Sequence, residues 1–161
     1  MTASNDNQPD VSSYRAEVDR LVPFLQAMNI RLKDVTDGRT AFEMEIEERH
    51  LRTRGILHGG VAAALLDSAM GFAAHTTAPD KHHVVTVQLN VNYIRPAWRG
   101  EKLVASGEVV HSGAQTAVSR GEIRTSENVL VASGSGTFMY LPHPDDGGEI
   151  EKIDDASRDD V

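Results

Sequence analysis

One acidic side chain, Asp67, stands in an otherwise apolar stretch of the chain, residues 61–74. Residues three or four apart share a face of an α-helix, and the face that carries Asp67 otherwise has only small residues: Gly60, Ala64, Gly71 and Ala74. Small side chains leave room for another backbone or a ligand. A carboxylate placed there has an easily perturbed pKa. Asp67 is therefore a candidate catalytic acid or base, or a structural acid that bonds backbone groups or an arginine.

The residues that open this stretch, His58, Gly59 and Gly60, suggest a second chemical element. The N–H groups of Gly59 and Gly60 lie in the first helical turn, where they lack intrahelical partners and the macrodipole favours negative charge. Such an end can polarise a carbonyl and hold the oxyanion of acyl transfer, or the glycines simply turn the chain. For His58 we favour a positioning or capping role. Adjacent His82 and His83 would face opposite ways on a strand, so we expect no metal site and no cofactor.

Helix geometry limits how these two elements can act together. Gly59 and Asp67 are eight residues apart, which is about 12 Å along a helix. One carbonyl group cannot touch both. If both serve one reaction, they come from different subunits, which implies a two-fold dimer with two equivalent sites.

The elements that must position these residues follow from hydrophobic periodicity. Apolar residues at helical spacing predict an amphipathic helix over residues 11–27, which Pro23 bends or ends early. Alternation on both sides of Asp37-Gly38 predicts a hairpin of residues 30–35 and 40–46. The stretch over residues 61–74 is too short to span a membrane. A helix apolar on all sides is enclosed by the rest of the protein.

Four strands are predicted in the remainder, over residues 83–94, 102–110, 116–123 and 129–140, with turn residues between them. In the first of them Val85, Val87, Leu89, Val91 and Tyr93 alternate with polar residues, so these five are predicted to share one apolar face. Strands in series with segregated helices predict an α+β fold, an antiparallel sheet wrapped around the hydrophobic helix.

Length and composition bound the domain organisation. The 161 residues fit one domain, which we place at residues 11–142. Residues 1–10 and 143–161 are polar and are expected to be disordered tails.

Charge and composition exclude several classes of function. The net charge is −8, which argues against nucleic acid as a partner. Residues 144–161 hold eight acids against two bases, a net of −6, so local arginines can still meet an anionic ligand. The absence of cysteine removes disulfides, thiolate metal sites and a cysteine nucleophile. Without a signal-like or spanning segment, the sequence predicts a soluble, cytoplasmic protein with no membrane partner.

Two motifs carry a family resemblance: the segment Arg-Gly-Ile-Leu-His-Gly-Gly of residues 54–60, followed by Leu66-Asp67, and the strand of residues 85–93, followed by Arg95-Pro96-Ala97. Over about residues 30–141 the chain resembles hotdog-fold thioesterases of the phenylacetate-degradation type, in the broad group of hydroxybenzoyl-CoA and long-chain acyl-CoA thioesterases. The resemblance implies hydrolysis of acyl-CoA or aryl-CoA thioesters to free acid and coenzyme A. It also implies a homodimer with shared active sites, paired into a dimer of dimers.

The resemblance also implies residue roles. Gly59 would donate its N–H to the thioester oxygen, Asp67 of the partner subunit would be nucleophile or general base, and Thr86 would position water. The implied substrate-binding residues are Arg52, His58, Gly60, Gln88 and Tyr93. The implied coenzyme A-binding residues are Arg95, with Arg99 as a second candidate, and the turn of Ser112, Gly113, Ala114, Gln115 and Thr116.

Arg52 departs from the family pattern, because many relatives have asparagine or glutamine six residues before the histidine. Arg52 would either reach Asp67 across the interface or turn outward toward a phosphate. We expect retained activity with an altered acyl preference.

Two other functions fit parts of this pattern. A hotdog enoyl-CoA hydratase or dehydratase would pair a histidine with an acid, and we expect His58 to be the only histidine near the key helix, without the spacing of that class. A non-catalytic acyl-CoA-binding protein would keep the pocket without needing Asp67.

Overall fold

The computed structural model describes residues 11–143. The helices are α1 (Val11–Leu21), α2 (Pro23–Ala27) and α3 (Gly59–Thr76), and the strands are β1 (Arg31–Thr36), β2 (Arg39–Glu45), β3 (His82–Tyr93), β4 (Lys102–Ser112), β5 (Thr116–Thr125) and β6 (Leu130–Pro142). Two 3₁₀ turns, Glu48–His50 and Thr53–Gly55, fill the polar connection before α3. All predicted elements are confirmed within a few residues. The predicted N-terminal helix is two helices, because Pro23 ends one and begins the next.

The predicted tails lie outside the described residues, apart from His143. Its backbone N–H donates to the Lys81 carbonyl at 2.7 Å, so this residue is held at the end of the sheet.

The six strands form one antiparallel sheet in the order β1-β2-β4-β5-β6-β3. Helix α3 packs on one face of it, and the buried core lies between them. The predicted α+β fold, with an antiparallel sheet around a hydrophobic helix, is confirmed. Strands β1 and β3 are the two edges.

Three glycines let α3 approach the sheet. Gly107, Gly121 and Gly134 lie side by side on β4, β5 and β6. A Cβ atom at Gly107 would lie 2.2 Å from the carbonyl oxygen of Ala69 in α3, far inside van der Waals contact. Glycine is required at this position because helix backbone occupies the space of a side chain.

A β-bulge at Val87 changes which residues of β3 face the helix. The register against β6 shifts between Thr86 and Gln88, and Val87 is 55% exposed. One extra residue reverses the inward and outward sides of a strand. The prediction that five residues of β3 share one face is therefore wrong for Val85 and Val87. That predicted set was Val85, Val87, Leu89, Val91 and Tyr93. The residues that pack toward α3 and the core are Val84, Thr86, Leu89 and Val91.

Helix α3 is not enclosed on all sides as predicted. Leu65, Leu66, Ala69 and Met70 are fully buried, but the side that carries Asp67 is only half-buried. Among residues 11–143, no helix is long and apolar enough to cross a membrane.

Candidate active site

Asp67 lies half-buried in the middle of α3, opposite β3. The Thr86 hydroxyl donates to Asp67 Oδ1 at 2.8 Å. Burial raises the pKa of Asp67, and the hydrogen bond from Thr86 opposes that rise. No arginine, lysine or backbone N–H in the part of the chain that the structure describes pairs with this carboxylate. Asp67 is thus a poorly solvated carboxylate with room at its second oxygen. A structural acid would instead bond backbone groups or an arginine.

His58 caps the amino terminus of α3, as predicted. Its Nδ1 accepts a hydrogen bond from the Gly60 N–H at 2.9 Å, so the ring proton of the neutral histidine is on Nε2. This bond occupies one of the two glycine donors expected at the helix entrance. The Gly59 N–H has no acceptor among residues 11–143. One free amide, that of Gly59, therefore remains for a ligand.

Tyr93 secures the same helix entrance. Its hydroxyl donates to the Gly59 carbonyl at 3.0 Å, and a Cβ at Gly59 would lie 3.4 Å from the tyrosine ring. The Tyr93 side chain therefore lies against the first residue of α3.

The two parts of the site lie apart within one chain. Asp67 with Thr86 and Gly59 with Tyr93 are separated by eight residues of α3, about 12 Å, and by seven residues of β3, roughly 23 Å. The chain alone cannot apply both parts to one carbonyl.

Asp67 and Thr86 open into a cleft of about 770 Å³ between α3 and the N-terminal helices. Ala64 and Gly71 from the predicted small-residue face line it, which confirms that part of the face leaves room for a ligand. Its apolar walls are Leu21, Val22, Phe24, Leu25 and Phe72. The volume is within the usual range for small-molecule sites.

The far end of the cleft is polar and was not found from the sequence. It is lined by Tyr14, His75, His83 and His143. The expectation that His58 is the only histidine near the key helix is wrong, because His75 is on α3 itself. Its position directly after the apolar run of residues 61–74, where the helix could continue, is the signal that could have revealed it. Within residues 11–143, no group of side chains has the arrangement needed to hold a metal ion.

The remaining predicted substrate residues are spread along the surface. Arg52 and Gln88 are exposed, and Tyr93 is 58% exposed. The Arg52 N–H donates to the Ile56 carbonyl at 2.8 Å, and Arg52 does not line the cleft beside Asp67.

The predicted phosphate partners are already engaged within the chain. Arg95 forms an ion pair with Glu101 at 2.9 Å, and Arg99 forms one with Glu48 at 2.8 Å. A phosphate would have to compete with these carboxylates. The Arg99–Glu48 pair is highly exposed, so it holds its partners weakly.

The predicted coenzyme-binding turn of Ser112 to Thr116 joins β4 to β5. Thr116 lies across β6 from Val85, next to Thr86, which places the turn at the Asp67 end of the sheet. The Ser112 hydroxyl bonds the Tyr140 hydroxyl at 2.8 Å, and the Gly113 N–H donates to the Thr116 carbonyl at 2.8 Å. Ala114 and Gln115 are exposed and are the parts of the turn most open to a ligand.

Comparison with known sequences identifies the family of this chain. The family model described as the thioesterase superfamily matches residues 54–132. The medium/long-chain acyl-CoA thioesterase YigI of Escherichia coli is 32% identical over 133 residues, which are 73% of this chain and 85% of YigI.

Solved structures agree with this result. A mutant of the phenylacetic acid degradation protein PaaI from Thermus thermophilus is 30% identical with a TM-score of 0.68, covering 74% of this chain and 99% of that one. The PaaI protein of Escherichia coli has a TM-score of 0.74 at 22% identity, covering 82% of this chain and 94% of that one. At that identity the likeness concerns the fold alone.

Proposed function

The chain belongs to the thioesterase superfamily, as a hotdog-fold thioesterase of the phenylacetate-degradation type, and we propose that it hydrolyses acyl-CoA or aryl-CoA thioesters with Asp67 as the catalytic carboxylate. One observation carries the proposal: Asp67 is a half-buried carboxylate, held by Thr86 at one oxygen, that opens into an apolar cleft. The acyl-CoA substrate named for YigI supports coenzyme A as the carrier.

The reaction needs an electrophile, a base or nucleophile, and a donor for the oxyanion. As a general base, Asp67 takes a proton from water while the water oxygen bonds to the thioester carbon. The Gly59 N–H stabilises the negative oxygen of the tetrahedral intermediate. The C–S bond then breaks, and the coenzyme thiolate leaves and takes up the proton.

As a nucleophile, Asp67 instead forms an acyl anhydride and releases the thiolate, and water hydrolyses the anhydride. Both routes need an ionised Asp67. In both, the Thr86 hydroxyl holds one carboxylate oxygen and can accept a hydrogen bond from the attacking water.

A homodimer would bring the two parts of the site together. The outer edge of β3, over twelve residues, pairs with no strand among residues 11–143. Such an edge readily pairs with another strand. Two β3 strands that pair antiparallel about a two-fold axis between Thr86 and Tyr93 would bring Asp67 of one subunit toward Gly59 of the partner subunit. Pairing of two such dimers, and the cytoplasmic location, stay predictions.

Within one chain, the hydratase alternative has no support from this arrangement. His75 is the histidine on α3 itself, and it is eight residues from Asp67, about 12 Å along the helix. An acid and a histidine at that spacing cannot act on adjacent carbons of one acyl group.

The proposal is tested by thiol release from a panel of acyl-CoA and aryl-CoA esters, with wild type compared with Asp67→Asn. We expect release by wild type and a loss of at least about 100-fold in kcat on substitution, the scale of a lost general base. Equal thermal unfolding of the two proteins is the control. Release that survives the substitution would refute the role of Asp67, and no release across the panel would favour an acyl-CoA-binding protein.

A further inference from the structure

We propose that Tyr14 and His75 form a partition that ends the cleft beside Asp67, and that this partition limits the acyl group to about eight carbons. The inference rests on the proposed function, since it concerns the acyl group of the same thioester. It depends on where the partition stands, what holds it in place and how far it lies from Asp67.

A second cleft, of about 630 Å³, adjoins the far end of the first. Three residues, Tyr14, His75 and His143, line both clefts. Side chains that line two neighbouring clefts stand between them. These three residues therefore separate the space beside Asp67 from the space of the second cleft.

Tyr14 and His75 are joined across the gap between α1 and α3. The Tyr14 hydroxyl and His75 Nδ1 are 3.1 Å apart, within hydrogen-bond distance. The Tyr14 ring also meets Phe72 edge-on, with centroids 6.4 Å apart, and Phe72 contacts the fully buried Phe42 at a centroid distance of 5.3 Å. The partition is thus anchored to the core. Because the Tyr14 hydroxyl already bonds within the protein, the partition acts on a ligand by blocking its path.

The two clefts differ in the chemistry of their walls. The first has apolar walls from the N-terminal helices and α3: Leu21, Val22, Phe24, Leu25 and Phe72. The second is lined mainly by polar residues, among them Thr36, Asp37, Thr76, Asp80 and Lys81. Contact with apolar walls removes the surface of an alkyl chain from water, which is favourable. Each added carbon therefore gains free energy only as far as the partition.

Two charged residues of α1, Glu17 and Arg20, also line the first cleft, and both are exposed. Their charges are opposite, so together they add no net charge to its walls. The preference that we infer is accordingly one of length and not of the charge of the end group.

The distance from Asp67 to the partition sets this length. His75 lies eight residues beyond Asp67 on α3, about 12 Å along the helix. Each C–C bond of about 1.5 Å advances an extended chain by roughly 1.3 Å, so an eight-carbon chain spans roughly 9 Å. Contact between its last carbon and the partition takes up about 4 Å more. An octanoyl group therefore fills the space between Asp67 and the partition.

The test measures kcat/KM for butanoyl-, octanoyl- and dodecanoyl-CoA. For wild type we expect a rise of about fourfold per methylene up to octanoyl-CoA, the value of a buried CH₂ group, and no further rise to dodecanoyl-CoA. Tyr14→Ala and His75→Ala each open the partition toward the second cleft. In both variants the ratio of dodecanoyl to octanoyl kcat/KM should rise at least about fivefold, and kcat/KM for dodecanoyl-CoA should itself exceed that of wild type.

Two further variants leave the partition in place. Tyr14→Phe keeps the ring against Phe72 and removes only the hydroxyl, so the ratio should stay near that of wild type. His82→Ala is the matched control for His75→Ala, because His82 lines the second cleft but not the first. Its ratio should also stay near that of wild type, and thermal unfolding shows which of the variants are folded.

A wild-type kcat/KM that keeps rising to dodecanoyl-CoA would overturn the inference, as would an unchanged ratio in either alanine variant of the partition that folds. A ratio that rises only because octanoyl-CoA is cleaved less well would mean that α1 has left α3, and would also count against a partition. If no thioester is cleaved, the proposed function fails, and calorimetric binding of the same three esters decides the inference alone. Dodecanoyl-CoA should then bind at least about fivefold tighter to Tyr14→Ala than to wild type, and equal binding would refute the partition.

Discussion

The environment of Asp67 is set by two opposing effects on one carboxyl group. Burial in α3 raises its pKa, and the Thr86 hydroxyl, which bonds the ionised form, lowers it. A raised pKa makes the carboxylate a stronger base, but it also limits the ionised fraction at low pH. The activity should therefore fall as the pH drops through the pKa of Asp67, which lies above the usual value for aspartate.

Substitution Thr86→Val tests this balance. Valine keeps the shape of threonine and removes the hydroxyl, so the pKa of Asp67 rises further and the acidic limb of kcat/KM moves to higher pH. The measurement is a pH profile of kcat/KM for wild type and variant. Thr137→Val on β6, a threonine that does not line the cleft, should leave the limb in place. An acidic limb that stays unchanged or moves to lower pH in Thr86→Val would contradict the assignment.

The contacts of Arg52 within one chain do not define its role. It is exposed and does not line the cleft beside Asp67. A contact with Asp67 of the partner subunit or with a phosphate stays a prediction of the dimer.

At the scale of elements, the position of Asp67 depends on how closely α3 lies on the sheet. The glycines of β4, β5 and β6 allow this approach, and the Thr40 hydroxyl donates to the Ala69 carbonyl of α3 at 2.6 Å. The helix is thus fixed by backbone contact as well as by its buried side chains.

Gly107→Ala should show how much this approach matters. The new Cβ would meet the backbone of Ala69 at 2.2 Å, and backbone cannot rotate away as a side chain can. We expect a loss of at least about 3 kcal/mol in the free energy of unfolding, measured by chemical denaturation at fixed protein concentration. Gly113→Ala is the control, because its Cβ would lie 3.4 Å from the nearest atom. Similar stability of both variants would show that α3 can move away from the sheet without loss.

At the scale of the whole molecule, the question is whether one chain or two make a site. A variant that removes only the Gly59 donor can answer it. Gly59 is the first residue of α3, where proline is well accepted, and His58 is extended, with φ −68° and ψ 134°, as a residue before proline must be. Gly59→Pro should therefore fold and lose about 100-fold or more in kcat, the scale of a lost oxyanion donor.

Mixed dimers of Gly59→Pro and Asp67→Asn subunits should regain activity. After random exchange of equal amounts, half of the dimers are mixed, and one of the two sites in each combines an intact Gly59 with an intact Asp67. The expected activity is roughly a quarter of wild type, measured by thiol release after unfolding and refolding the mixture. Activity no greater than that of the separate variants would place both parts of the site in one chain.

Local features of the chain could be predicted from the sequence because they depend on near neighbours. Helical periodicity defines α3, the Asp37-Gly38 turn defines the first hairpin, and the small residues around Asp67 predict free space beside a carboxylate. The free amide at the helix entrance follows from helix geometry, although the capping bond of His58 was needed to show that Gly59, and not Gly60, carries it.

Tertiary structure decided what depends on residues far apart in the chain. The bulge at Val87 is a property of the pairing between β3 and β6, and strand periodicity alone cannot reveal one extra residue. The ion pair of Arg95 with Glu101 depends on the conformation of the loop between β3 and β4. The cleft exists because α1 and α2 fold back over α3 and bring Tyr14 to His75 across sixty-one positions of sequence. Cross-strand register and side-chain packing are collective, so the shape and the polar end of the cleft appear only when the elements are assembled.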